Sequence, residues 1–364
     1  MELEIKRKEL FEGVNIAQAI SEKKSVVPIL SYMLISAQGD SVQISATDLE
    51  VFVKLKIPCS VRKEGEISVV SRKLYEILRE MEFYSLKLSV QKYKISINSG
   101  SVVCEIVSLP SSEFPKVDDS GFSKIFTISS QDLRDLLDKT TFAAAPPEES
   151  RYALTGILIE VERGKVNFVA SDGHRLSLCG KEIKTDAQKT FLISKSSADE
   201  IRKVVSVDNV DFEIFISSKA SLFTCKNVSV WVKFLDEEFP KYKDVIPQDF
   251  KTKIVVKTPE LKRVVRRASV FSSSKFSVVK LDVKKGTLKV SAESPEFGRS
   301  EESVDADISG QDIQIHMSTK YLLDSVSAID APLVSIKISG DMSPCVVEPS
   351  GGFGATGVIM PVRL

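Results

Sequence analysis

The stretch Met33-Leu34-Ile35-Ser36-Ala37-Gln38-Gly39-Asp40-Ser41-Val42-Gln43-Ile44-Ser45-Ala46 sets the pattern for the whole chain. Apolar residues alternate over 33–37 and again over 42–46, with Gly39-Asp40 between them. That predicts two half-buried antiparallel strands joined by a tight turn. The design returns at 157–161, Gly164-Lys165 and 166–170, and again at 279–283, Gly286-Thr287 and 288–292. The second strands of the three hairpins begin 124 and 122 residues apart.

Further landmarks keep this period. A helix is expected before each hairpin, with Leu10, Val14 and Ala17 on one face, then Leu133, Leu137 and Thr140, then Leu261, Val265 and Ala268. Glu9, Asp132 and Glu260 stand just before the three leucines, where an acid suits a helix N-terminus. A second helix is expected after each hairpin, starting at Ser71, Ser194 and Ser318, with serine as N-cap. Phe114-Pro115-Lys116 and Phe239-Pro240-Lys241 close the first two repeats, their phenylalanines 125 residues apart. The fold class is therefore α+β: three tandem repeats of one domain, each with two helices on an antiparallel sheet of about eight strands. The expected boundaries give domains 1–120, 121–247 and 248–364.

Composition narrows the function classes. The 364 residues are 43% hydrophobic and 27% charged, which excludes general disorder. No apolar run reaches the length of a transmembrane helix, and Glu2, Glu4 and Lys6 leave no secretory signal in view, so a cytoplasmic location is expected. Fifty Lys and Arg balance fifty Asp and Glu, so the chain does not grip nucleic acid by bulk positive charge. A basic face with acids elsewhere remains compatible with that balance. Lys262, Arg263, Arg266 and Arg267 crowd one helix beside a single acid, Glu260, and Lys23-Lys24 and Arg72-Lys73 add cations. Solvated helix faces and a phosphate-facing wall both fit these clusters. The five cysteines, at 59, 104, 179, 225 and 345, have no Cys-x-x-Cys spacing, so no disulfide framework and no zinc site is expected.

Two strings invite an enzymatic reading. Ser171-Asp172-Gly173-His174-Arg175-Leu176 holds Ser, Asp and one of only two histidines. Yet a triad needs the histidine between serine and acid, and Asp172-Gly173 is a turn signal. The other histidine, His316, falls in an expected strand over 313–317. Gly352-Phe353-Gly354-Ala355-Thr356-Gly357 matches GxGxxG, but Val358-Ile359-Met360-Pro361 follows where a dinucleotide site needs a helix. No P-loop or metal-ligand pattern appears. No catalytic residue, metal or cofactor is expected.

The same strings carry a family resemblance. Ala46-Thr47-Asp48-Leu49-Glu50, the Ser171–Leu176 string and Ile359-Met360-Pro361-Val362-Arg363-Leu364 closely resemble the bacterial DNA polymerase III β subunit, the β sliding clamp. Pro28-Ile29-Leu30 and Glu238-Phe239-Pro240 fit it too, so the resemblance runs from end to end. It implies the DNA clamp fold. Two three-domain chains would pair head to tail in a ring around duplex DNA, helices lining the hole and sheets forming the rim. It implies a processivity factor without catalysis of its own, which tethers the replicative polymerase and is opened by an ATP-dependent clamp loader.

The resemblance also assigns residues. Partner proteins would insert a QLxLF-type motif into a pocket between the second and third domains. Leu154, Leu176, Val245, Val358, Met360 and Val362 would be its apolar walls, His174 and Arg175 its donors, and Ser171, Gly173, Pro240, Tyr321, Pro361 and Arg363 the remainder. DNA contacts fall on Lys24, Arg72, Tyr152 and Lys195. The ring interface falls on Lys73, Cys104 and Ile106 at one end and Val270 and Phe271 at the other. Two other classes stay open at this point: a repeat-built peptide-binding scaffold that does not encircle DNA, and a hydrolase using His174.

Overall fold

The computed structural model describes residues 1–21, 27–148, 152–205, 210–271, 277–284 and 286–363. Among these lie six α-helices and 26 strands: α1 Arg7–Ile20, α2 Ser71–Glu80, α3 Ser130–Asp138, α4 Lys195–Val205, α5 Thr258–Ser269 and α6 Thr319–Ser327. The three hairpins fall where the alternation places them. Ile35 pairs with Ile44, Ile159 with Phe168, and Leu281 with Val290.

The chain folds into two compact units, Met1–Leu133 with Ser196–Phe234, and Arg134–Lys195 with Leu235–Leu364. This division cuts through the second repeat, and the strand pairing explains it. Val51–Pro58 of the first repeat pairs antiparallel with Val228–Lys233, so four strands of the second repeat join the first unit's thirteen-stranded sheet. Arg175–Glu182 pairs antiparallel with Thr356–Ile359, so the other four join a nine-stranded sheet in the second unit. Each sheet thus runs through a repeat boundary. The second unit also holds a four-stranded sheet with Gly298–Asp305 at one edge.

The helices follow their apolar stripes. On α5, Leu261, Val264, Val265 and Ala268 are buried, the i, i+3, i+4, i+7 pattern of a one-sided helix. They meet Val279, Leu281 and Val290 of the hairpin and Leu322 and Val326 of α6 in one core. Each such fully buried aliphatic side chain contributes roughly 1.5–3 kcal/mol. Pro259 and Glu260 occupy the first turn, where a missing N–H costs nothing and an acid meets the positive helix end. In the first unit α1 buries Leu10, Val14 and Ala17.

The start signals hold in part. Ser318 caps α6, its Oγ accepting from the Tyr321 N–H at 3.4 Å, and Ser194 immediately precedes α4. Ser71 is not a cap: Val70 takes that position, and the Ser71 Oγ instead lies 2.8 Å from the Ser21 Oγ. Thr140 lies beyond the end of α3, where its hydroxyl donates to the Leu136 carbonyl at 2.6 Å.

A candidate peptide-binding cleft

The Ser171–Leu176 string is a closed turn, and its bonds say what each residue is for. Gly173 takes φ +85°, a left-handed conformation that a glycine adopts without steric cost. The Ser171 Oγ donates to the Arg175 carbonyl at 2.8 Å and accepts from the Gly173 N–H at 3.1 Å. One Asp172 oxygen accepts from the backbone N–H groups of His174 and Arg175, both at 3.0 Å, and the other from Arg175 Nε at 3.0 Å. Serine and acid are therefore spent on the turn and on Arg175. The His174 carbonyl accepts from the Met360 N–H at 2.9 Å, which ties the turn to the chain's last segment.

Arg175 is only 7% exposed. A buried guanidinium needs all its neighbours, and it has them. It donates to Asp324 of α6 and to the Phe142 carbonyl, both at 2.6 Å, and stacks 4.4 Å from the Tyr321 ring. Arg175 is thus a brace under the turn.

Beside this turn opens a cleft of about 200 Å³. Its floor is apolar: Leu176, Val358 and Tyr242 belong to a buried cluster with Leu158, Val169, Leu192, Leu235 and Val346. Leu154 is buried as well, while Met360 and Val245 stand at the rim, 42% and 51% exposed. Ten of the fourteen expected pocket residues line it: Leu154, Ser171, Gly173, His174, Arg175, Leu176, Pro240, Val245, Val358 and Met360. Tyr321, Pro361, Val362 and Arg363 are not in the lining. Tyr321 backs Arg175, and the Val362 N–H donates to the His316 carbonyl at 2.8 Å.

Three lining residues were missed: Phe239, Lys241 and Tyr242. For Phe239 and Lys241 the signal was the repeated Phe-Pro-Lys string; Tyr242 had none. Tyr242 is held from behind, its hydroxyl donating to Glu160 at 2.7 Å while Lys243 reaches the same carboxylate at 3.1 Å. Burial opposes ionisation of Glu160, but the Tyr242 and Lys243 hydrogen bonds outweigh it and hold its carboxyl below the usual range.

The expected DNA contacts fall in both units. Arg72, in the first unit, is exposed and shares the Glu76 carboxylate with Lys73, each at 2.9 Å. In the second unit, Tyr152 is exposed and Lys195 half-buried. Lys24 lies outside the described residues. On α5, Arg263 and Arg266 are exposed opposite the buried stripe, and Arg267 makes a two-pronged pair with Glu302.

The expected interface residues flank open strand edges. Cys104 and Ile106 lie on Val102–Leu109, whose second side pairs with Gly65–Val70 only at Ser108 and Leu109. Val103 and Val107 on this edge are exposed. In the second unit, among the described residues, Gly298–Asp305 pairs on one side only, with Thr287–Ser294. Val270 is exposed at the end of α5, and Phe271 packs on the core. An unpaired strand edge is a template for another chain.

Among the described residues no cluster of three or more His, Cys, Asp or Glu could hold a metal ion, and no helix is long and apolar enough to cross a membrane. Burial pushes the Cys179 and Cys345 thiols up to about 12, so neither is a ready nucleophile.

Family models for the DNA polymerase III beta subunit match in chain order, the N-terminal domain over residues 1–118, the central domain over 127–241 and the C-terminal domain over 243–363. The chain belongs to the DNA polymerase III beta subunit family. Beta sliding clamps of Pseudomonas aeruginosa and Caulobacter vibrioides are 27% and 29% identical to it over the full length of both chains. The solved sliding clamp of Bartonella birtlesii, bound to griselimycin, is 30% identical, covers all of both chains and superposes with a TM-score of 0.93. The family is that of the sliding clamp, a non-enzymatic processivity subunit of DNA replication. The hydrolase alternative falls on this membership and on the spent Ser171 and Asp172.

Proposed function

We propose that this sliding clamp acts as a head-to-tail homodimeric ring around duplex DNA, built from domains 1–120, 121–247 and 248–364, and that the cleft beside His174 receives the linear motifs of its partners. The cleft carries the reading of partner binding. A leucine and a phenylalanine of a QLxLF-type segment match its apolar floor, and the flexible Met360 at the rim can adapt to varied sequences. The buried Leu176 and Val358 give that floor, and the Arg175 brace fixes it.

The ring reading rests on the family and is supported by the two open edges. Val102–Leu109 of one copy against Gly298–Asp305 of another would satisfy both rows of backbone groups. Contacts to DNA would be with phosphate, independent of sequence and weakened by salt. Exposed Arg263 and Arg266 suit that role. Retention then comes from topology, and the tethered polymerase returns to its primer end at high effective concentration. Opening the ring falls to an ATP-driven loader, since this chain has no P-loop.

A loading experiment separates the ring from a scaffold that does not encircle DNA. Clamp loaded on nicked circular plasmid is expected to stay bound through a high-salt gel filtration and to be lost when the plasmid is cut once. Equal retention on circular and linear DNA would rule out the ring.

A further inference from the structure

The first unit contains the cleft's framework a second time. Thr47 Oγ1 donates to the Val51 carbonyl at 2.7 Å and accepts from the Leu49 N–H at 2.9 Å. Asp48 accepts from the N–H groups of Glu50 and Val51 at 3.0 and 2.7 Å. These are the backbone bonds of Ser171 and Asp172, 124 residues earlier, while Val51 stands at the position of Arg175 and the guanidinium brace has no counterpart. The Lys233 N–H donates to the Glu50 carbonyl at 3.0 Å, as that of Met360 does to His174. Trp231 lies opposite Phe52 on one side and Leu222 on the other, as Val358 lies opposite Leu176 and Val346. Phe114-Pro115 stands for Phe239-Pro240.

What differs is the side chains that would line it. Phe52 replaces Leu176 and Trp231 replaces Val358, and both are larger. Trp231 meets Phe52 edge-on with ring centroids 5.8 Å apart, Phe52 meets Phe114 at 6.1 Å, and all three are buried. Lys54 lies over the Trp231 ring at 4.6 Å and is itself held by Asp119 at 3.1 Å. The Trp231 indole N–H has no hydrogen-bond partner among the described residues. Leaving such a donor unpaired is unfavourable, so the ring is there for its volume rather than its polarity.

We infer that the first unit carries a latent copy of the peptide cleft, filled from within by Trp231 and Phe52, and that these side chains, not the framework, limit each chain to one peptide. The inference rests on the reading of the second unit's cleft as a peptide site. Restoring that cleft's own residues with Trp231→Val and Phe52→Leu would open a second site for the same apolar-aromatic motif.

The test counts peptides per chain by calorimetry with a Gln-Leu-Asp-Leu-Phe peptide. Trp231 is the only tryptophan of the chain, so its emission reports on this junction alone. The full-length protein should bind one peptide per chain, with Trp231 emission unchanged at saturation. The double variant, shown folded by circular dichroism, should bind two. Two peptides on the unaltered protein, an emission shift on binding, or one peptide on the folded double variant would each overturn the inference. Should the double variant not fold, Trp231→Gly is tested with indole. Millimolar indole should raise its melting temperature by about 2–5 °C and leave the unaltered protein unmoved, and no rise would overturn the plug. If the unaltered protein binds no peptide, the reading of the second unit's cleft fails, and the indole experiment still decides the plug.

Discussion

Arg175 reaches Asp324 across 149 residues of sequence, with Nη1 and Oδ2 2.6 Å apart. The pair joins a turn of the second repeat to a helix of the third and so sets the wall of the cleft. Removing one partner of a fully buried ion pair costs about 3–5 kcal/mol. Asp324→Ala is expected to cost less, about 2 kcal/mol, because Asp172 and the Phe142 carbonyl still hold the guanidinium. Urea unfolding measures the loss, and peptide affinity should fall with it. An unchanged midpoint would remove Arg175 as the brace.

Leu49 occupies the turn position of Gly173, yet it is a leucine at φ +76° and about half exposed. Left-handed backbone costs an L-residue roughly 1–2 kcal/mol, while glycine loses about 0.5–1 kcal/mol in chain entropy. Leu49→Gly should therefore stabilise the protein by about 0.5 kcal/mol. Gly173→Leu should destabilise it by more than that. Paired denaturation curves check the opposite signs.

Glu200 on α4 is largely buried, and its Oε2 has no hydrogen-bond partner among the described residues. Burial pushes its carboxyl above the ordinary value near 4.5, the Lys203 hydrogen bond partly offsets this, and Asp48 and Asp199 add repulsion. The folded state thus holds this proton more tightly than the unfolded chain. Its contribution is fully present below the ordinary carboxylate range and is lost as pH rises through the shifted value. Glu200→Gln should stabilise by about 1 kcal/mol at pH 7, and the gain should shrink toward pH 4. A gain that grows at low pH would contradict the sign.

Arg7 of α1 closes the end of α2, its guanidinium donating to the Leu78 carbonyl at 3.0 and 2.7 Å and to that of Arg79 at 3.1 Å. It also lies 4.7 Å over the Phe11 ring, which stacks on Tyr75. Losing charge-assisted bonds to unpaired helix carbonyls costs about 1.5–3 kcal/mol. Arg7→Ala should lower stability by that amount, and Arg7→Lys should recover only part of it, since an ammonium lacks the fork. Full recovery by lysine would show that charge alone is at work.

The hairpins and helix faces could be read from sequence because a two-residue or 3.6-residue period survives without tertiary knowledge. The junctions could not. Pairing of Val51–Pro58 with Val228–Lys233 joins segments too far apart for any local pattern to record. Serine is a good cap, but α2 begins at Ser71 itself, so Val70, the last residue of strand Gly65–Val70, takes the position. In the cleft, the Ser171–Arg175 turn was legible in its Asp-Gly signal. Tyr242 was not, since its place depends on a hydrogen bond to Glu160, 82 residues away. Val358 and Trp231 are both strand residues. Only their shared register, opposite Leu176 and Phe52, shows one cleft open and its copy filled.

Binding of a leucine–phenylalanine motif in the cleft beside His174 is open to direct measurement. It is tested most directly by fluorescence polarisation with a labelled Gln-Leu-Asp-Leu-Phe peptide and a copy whose leucines and phenylalanine are alanine. Both are titrated with the full chain and with a chain lacking residues 360–364. A Kd on the order of micromolar is expected, lost with either the anchors or the tail. Equal binding of both peptides, or no binding by a folded full-length sample, would contradict it.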